Sequence, residues 1–187
     1  MGELLTDRLF LALSLDDDIR HGLAAFLSEN LGGGLLPGKP VRPESWHVTL
    51  RFLGVTTPIQ RDRVVGSLAE NPVVEPFTLG FAGLGAFPGA SRATVLWLGI
   101  DRGADEAARV AAACDEAAVT AGFEPEDRPF HPHVTLARIR PKQNVADLVD
   151  RFPRFPLTRS VESVTVYRSR LGPTGATYEV VTSIPLV

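Results

Sequence analysis

One cysteine in 187 residues, Cys114, has no partner for an internal disulfide, so the fold must be held by its core. Cys114 lies in Ala-Ala-Ala-Cys-Asp-Glu-Ala-Ala, a helical context that suits a small buried residue better than a nucleophile. No apolar run is long enough to span a bilayer. Met1–Arg8 carries Glu3 and Asp7, which does not suit a secretory leader. A cytoplasmic protein without a membrane partner is expected. Positive charge is not in excess either: 19 Lys+Arg against 22 Asp+Glu give a net charge of -3 and a pI of about 5.8. Proteins that hold long nucleic acid over their whole surface are usually basic, so that class is disfavoured. A local arginine cluster in a cleft stays open, because net charge does not describe a cleft. A composition of 44% apolar and 22% charged residues gives no sign of extended disorder.

One tetrapeptide is present twice. His-Val-Thr-Leu occupies 47–50 and again 133–136. On a β-strand, His47 and Thr49 share one face and Val48 and Leu50 the other; the same holds for His133 and Thr135 against Val134 and Leu136. Each copy therefore offers one imidazole and one hydroxyl on a strand whose back is anchored in a core. Two imidazoles that titrate near neutrality can divide the roles of general acid and general base, and two hydroxyls can hold an anion between them. No acidic residue lies within either copy, so a Ser-His-Asp arrangement is not evident. A phosphodiester fits this set without a cofactor or an obligatory metal. The rival is a metal held by His131, His133 and His47. It leaves the repeated threonines unexplained, and Ser45 stands where a first-copy counterpart of His131 would be.

The elements repeat as well. An apolar strand over 8–15 precedes a helix over 17–31, with Asp16–Asp18 at its start. A Gly- and Pro-rich loop, 32–43, leads into the first His-Val-Thr-Leu strand. A helix over 56–70 with Pro58 in its first turn and a strand over 77–84 follow. From Ala93 the order recurs: a strand over 93–100, an alanine-rich helix over 103–121, a loop over 124–132 with three prolines, the second motif strand, and a short helix over 145–152 behind Asn144. Strands over 161–170 and 177–184 close the pattern around a turn that contains Gly172, Pro173, Thr174 and Gly175. The histidines are 133 − 47 = 86 apart, and the preceding strands, taken at Leu9 and Leu96, are 96 − 9 = 87 apart. This near-constant offset predicts an internal duplication. The expected fold is α+β: one bilobal, pseudo-twofold unit over 1–187, with two largely antiparallel sheets lining a central cleft and helices outside.

These residues resemble the 2H phosphoesterase superfamily, and within it the RNA 2′,3′-cyclic phosphodiesterases also called 2′-5′ RNA ligases. The resemblance rests on Arg-Leu-Phe-Leu-Ala-Leu at 8–13, Trp-His-Val-Thr-Leu-Arg-Phe-Leu-Gly at 46–54 and Arg-Pro-Phe-His-Pro-His-Val-Thr-Leu-Ala-Arg at 128–138. Tyr-Arg-Ser-Arg-Leu-Gly-Pro at 167–173 and Tyr-Glu-Val at 178–180 extend it. It implies hydrolysis of a 2′,3′-cyclic phosphate at an RNA end to a 2′-phosphomonoester, with His47 as the acid at the 3′ oxygen and His133 activating water. The reverse direction joins a 5′-hydroxyl end through a 2′-5′ linkage without ATP. Substrates would be RNA ends, tRNA fragments or cyclic nucleotides, and a monomer is the default. The alternatives are a 2H phosphodiesterase acting on 2′-5′ oligonucleotides or an ADP-ribose cyclic phosphate, and a nucleotide- or RNA-end-binding module without turnover.

The same resemblance makes Arg138, five residues after His133, a phosphate contact beside Thr49 and Thr135. Strict alternation puts Arg138 on the wrong face, so the contact requires the strand to end, bulge or twist there. Alternation puts Arg51 on the catalytic face, as a candidate RNA contact. Trp46 and Phe130 flank the motifs and are candidates either to stack on a base or to pack in the core. His131 is expected at the rim, and His21 on a solvated helix face.

Overall fold

The structure, a computed structural model, describes residues 6–172 and 175–187. In chain order it contains β1 (Asp7–Ser14), α1 (Asp17–Asn30), a two-residue β2 (Lys39–Pro40), β3 (His47–Thr56), α2 (Pro58–Glu70), β4 (Phe77–Phe87) and β5 (Ala93–Arg102). Then come α3 (Ala104–Thr120), β6 (His133–Gln143), α4 (Ala146–Arg151), β7 (Thr158–Val161), β8 (Ser163–Gly172) and β9 (Gly175–Pro185).

The helix starts follow local chemistry. The Asp16 side chain accepts from the N–H of Ile19 at 3.0 Å, and Asp17 and Asp18 meet the positive end of the α1 dipole. Thr57 and Gln60 form a reciprocal capping box ahead of Pro58 at the head of α2. Asn144 Oδ1 accepts from the N–H of Ala146 at 3.0 Å and starts α4. Two strands have weak sequence signals. β2 lies inside the Gly- and Pro-rich loop, and β7 lies between Pro156 and the β8 strand with Val161 as its only buried side chain. Both exist because a neighbouring strand supplies their hydrogen bonds. Pro173 and Thr174 of the expected turn lie outside the described residues.

Every strand pair among the described residues is antiparallel, and the order is β7-β4-β5-β6-β3-β1-β8-β9, with β2 on β6. Two four-stranded lobes, β9-β8-β1-β3 and β6-β5-β4-β7, meet at β3 and β6. Among the described residues, the only pair across this seam is Val48 with Val134, so the two sheets run into one another at a single point. The lobes are interleaved along the chain. β4 follows β3 in sequence yet belongs to the second lobe, and β8 and β9 return to complete the first. One apolar core, including Leu11, Leu13, Leu23, Val48, Leu96, Val134 and Leu136, lies behind both lobes under the helices.

The duplication is visible in a shared irregularity. Leu11 pairs with Arg51 and Ala12 with Thr49, so Leu50 is an extra residue. Leu96 pairs with Ala137 and Trp97 with Thr135, so Leu136 is extra in the same way. Both inner strands therefore bulge directly after the motif threonine. The register also corrects the strand offset. Ala12 and Trp97 face equivalent threonines, which gives 97 − 12 = 85 in place of 87. Each bulge turns two successive residues inward and returns the next one to the histidine face. Leu50 and Arg51 are 7% and 9% exposed, whereas Phe52 is 56% exposed. Leu136 and Ala137 are buried, and Arg138 is exposed.

Candidate active site

The two motif strands put their polar groups on one face. The Val48–Val134 pairing sets His47 opposite Thr135 and Thr49 opposite His133. The outcome is a quartet in which imidazole and hydroxyl alternate across the seam. Each imidazole is oriented by its own approach loop. His47 Nδ1 lies 2.8 Å from the carbonyl oxygen of Ser45, and His133 Nδ1 lies 2.6 Å from that of His131. A carbonyl only accepts, so Nδ1–H is the donor in both rings and Nε2 is left for chemistry. His47 Nε2 is 3.0 Å from Thr49 Oγ1.

Burial dominates the titration of both rings. It lowers His47 from 6.5 to about 4; the Ser45 carbonyl opposes this, and the charges of Arg20, His133 and Arg138 reinforce it. His133 is also lowered, chiefly by burial, with the His131 carbonyl opposing and the His131 and Arg138 charges reinforcing. Near pH 7 without a ligand, both rings are neutral and present an Nε2 lone pair.

The wall around His47 is aromatic. Phe10, Tyr178 and Tyr167 have ring centroids 4.8, 5.3 and 6.0 Å from it. Beside His133 stand Phe87 at 5.1 Å and Trp97 at 5.9 Å, with the exposed His131 ring at 6.4 Å.

The bulges decide the arginines. Arg138 returns to the histidine face, where its charge acts on both imidazoles. Gly38 holds the strand there. Its backbone is left-handed (φ 75°), and a Cβ on it would lie 2.4 Å from the Arg138 carbonyl oxygen. The carbonyl of the extra residue Leu136 accepts from Val41 N–H at 2.8 Å.

Arg51 is a correction. The bulge turns it away from the quartet to the back of the sheet, where it meets Asp115 at 2.7 Å and Glu126 at 3.8 Å. The Nε approach to Asp115 is close but is not that of a linear hydrogen bond. Arg51 also donates to the carbonyls of Phe52, at 3.1 Å, and Glu124. Trp46 is 3% exposed, inside the core, and offers no ring face to a base; Phe130 packs half-buried against that core. Burial raises the Cys114 thiol to about 12, which leaves it inert at neutral pH. Among the described residues, no three His, Cys, Asp or Glu side chains gather where a cation could sit. No helix among them is long and apolar enough to cross a membrane.

The family model described as the 2′-5′ RNA ligase superfamily matches residues 37–173, a span that contains both histidine motifs. The chain belongs to this superfamily. An RNA 2′,3′-cyclic phosphodiesterase of Aeropyrum pernix is 38% identical over 129 residues, 68% of this chain and 72% of that one. One from Archaeoglobus fulgidus is 35% identical over 146 residues, 78% and 80% of the two chains. The solved structure of LigT from Escherichia coli with 3′-AMP is similar at a TM-score of 0.81 and 24% identity over 98% and 99% of the chains, a likeness of fold alone. A solved structure from Thermus thermophilus is similar at a TM-score of 0.78 and 28% identity over 96% and 97%.

In this 2′-5′ RNA ligase superfamily member several site residues carry no local motif. Arg20 comes from α1, lies against the Tyr167 hydroxyl and acts on His47 through its charge. Phe10, Tyr167 and Tyr178 reach His47 from three strands of the first lobe. Trp97 and Phe87 reach His133 from β5 and β4. Their signal was pairing, not sequence distance: Trp97 faces Thr135 across two strands.

Proposed function

We propose that this superfamily member hydrolyses 2′,3′-cyclic phosphate at RNA ends to a 2′-phosphomonoester by two-histidine acid–base catalysis. The observation that carries the reading is the quartet: two Nε2 atoms and two threonine hydroxyls on one face, with both Nδ1–H groups tied to backbone carbonyls. The phosphodiesterase relatives at 38% and 35% identity support the same chemistry.

His133 Nε2 takes a proton from water as the oxygen attacks phosphorus. The bond from phosphorus to the 3′ oxygen breaks, and His47 Nε2–H protonates that oxygen. Thr49 and Thr135 donate to the non-bridging oxygens, and the Arg138 guanidinium offsets their charge. The general acid must be charged, yet burial keeps His47 neutral in the free protein. A phosphate anion at Nε2 raises its pKa, so substrate binding loads the acid. With a 5′-hydroxyl in place of water and the reaction run toward ester formation, the same groups make a 2′-5′ linkage without ATP. The substrates are RNA ends, tRNA fragments or cyclic nucleotides, met in the cytoplasm by a monomer that requires no metal.

Incubation of 2′,3′-cyclic AMP with wild type, His47→Ala and His133→Ala, each with and without EDTA, tests this. Wild type should release 2′-AMP in both conditions and the variants should not. Full turnover by either variant would remove the two-histidine mechanism.

A further inference from the structure

We infer that the Phe87–Trp97–His131 surface beside His133 is a second nucleoside subsite, holding the nucleoside whose 5′ oxygen is joined to, or leaves, the phosphate. This rests on the acid and base roles proposed above. If His47 serves the 3′ oxygen, the ribose that carries the phosphate sits on the His47 side. The attacking group then enters beside His133. Water needs no platform there. A 5′-hydroxyl brings its own sugar and base, and the surface within reach of that base is this one.

The surface is built for a flat ligand. Trp97 pairs with Thr135, so its indole projects on the quartet side of the sheet. A Cβ on Gly85, its partner on β4, would lie 2.1 Å from the indole, and one on Gly99 would lie 3.2 Å away. The two glycines clear a bed on which the ring lies close to the sheet. Phe87 and His131 border it, with ring centroids 5.2 and 4.9 Å from that of Trp97. His131 is exposed and Trp97 and Phe87 are half-buried. Aromatic faces of this kind bind any base by stacking, without hydrogen-bond readout.

Two simpler explanations fail. Trp97, the centre of the cluster, is not inherited from the duplication, because its register equivalent is Ala12, although Phe87 does have an aromatic counterpart in Tyr167. In the first lobe Phe10 and Tyr167 are 2% and 7% exposed around His47 and only Tyr178 is half-buried, whereas in the second lobe Trp97 and Phe87 are half-buried and His131 is exposed. Nor is the cluster needed to aim His133, since the backbone carbonyl of His131 does so.

The step balances with these groups alone. In ligation the 5′-hydroxyl oxygen bonds to phosphorus and its proton passes to His133; the bond to the 3′ oxygen breaks and His47 supplies a proton. In the reverse step His47 takes the 3′-hydroxyl proton, that oxygen closes the cyclic phosphate, and His133 protonates the departing 5′ oxygen.

Cleavage of 2′-5′-linked adenylyl-adenosine and hydrolysis of 2′,3′-cyclic AMP should be measured for wild type, Trp97→Leu and His131→Ala. His131→Ala alters an exposed side chain and retains the orienting carbonyl, so it keeps the test valid if Trp97→Leu unfolds. The ratio of the two kcat/KM values, dinucleotide over cyclic nucleotide, should fall about tenfold in Trp97→Leu and in the same direction in His131→Ala. An unchanged ratio in both variants overturns the subsite. So does a wild type that hydrolyses cyclic AMP but leaves the dinucleotide intact. A wild type inactive on cyclic AMP instead removes the proposed function, and the subsite with it.

Discussion

Replacing Arg51 by methionine should destabilise the protein and spare its chemistry, whereas the same change at Arg138 should do the reverse. The Arg51 side chain is 9% exposed, and its partners Asp115 and Glu126 are 28% and 29% exposed. Removing one partner of a fully buried pair costs about 3–5 kcal/mol, and an exposed pair is worth about 0–1 kcal/mol. Water can reach both carboxylates left behind here, so the electrostatic loss falls between these limits. The carbonyls of Phe52 and Glu124 lose a donor as well, at roughly 1 kcal/mol or less each if water replaces it. A total of about 2–3 kcal/mol follows, which for a chain of this size lowers Tm by roughly 4–12 °C. Thermal melts followed by circular dichroism, with kcat/KM on 2′,3′-cyclic AMP at 25 °C, separate the outcomes. Arg51→Met should melt early with kcat/KM within about threefold of wild type. Arg138→Met should melt like wild type and lose about tenfold or more in kcat/KM, the proposed charged contact to the phosphate being gone. Native melting with a large activity loss in Arg51→Met would refute the burial argument and put Arg51 on the substrate.

Stability should depend on the His47 proton. Its folded pKa is about 4 against an ordinary 6.5, so between these values the unfolded chain binds the extra proton and stability rises with pH. Urea titrations at pH 4 and pH 7 should differ by up to about 3 kcal/mol from this group, and His47→Asn should flatten that part of the dependence; an unaltered slope would refute the burial of the ring. Gly85→Ala should displace the Trp97 indole, because its Cβ would fall 2.1 Å from the ring. A stability loss of about 1–3 kcal/mol with red-shifted tryptophan emission is expected, and wild-type emission and melting would contradict the packing described.

The sequence disclosed most of the helices because their signals are local. Asp16, the Thr57–Gln60 pair and the alanine run of α3 each act within one turn. It disclosed the quartet because the two tetrapeptides are identical and a strand alternates. It misplaced Arg51 because a bulge is a property of two paired strands, and nothing within 47–56 announces one. The equivalent extra residue on β6, Leu136, is what lets Arg138 face the histidines, as the resemblance required and alternation forbade. The aromatic walls were out of reach for a related reason. Phe10, Trp97, Tyr167 and Tyr178 are ordinary strand residues until the strand order makes them neighbours. β7 was hidden because its backbone hydrogen bonds come from β4, not from any pattern of its own.

The interleaving of the lobes bears on how the chain is made. β1 is synthesised first, yet one of its edges is covered only by β8, more than 150 residues later. While the ribosome is still making α3, Leu9, Leu11 and Leu13 sit on a strand open along that edge, the situation in which nascent chains pair with the wrong neighbour. The second lobe completes sooner, since β4, β5, β6 and β7 follow one another along the chain. Folding is therefore expected to begin in the half that carries His133, with the His47 half closing last. A nascent chain arrested before β8 would hold one finished lobe and one sticky strand, a natural substrate for chaperones that bind exposed apolar segments.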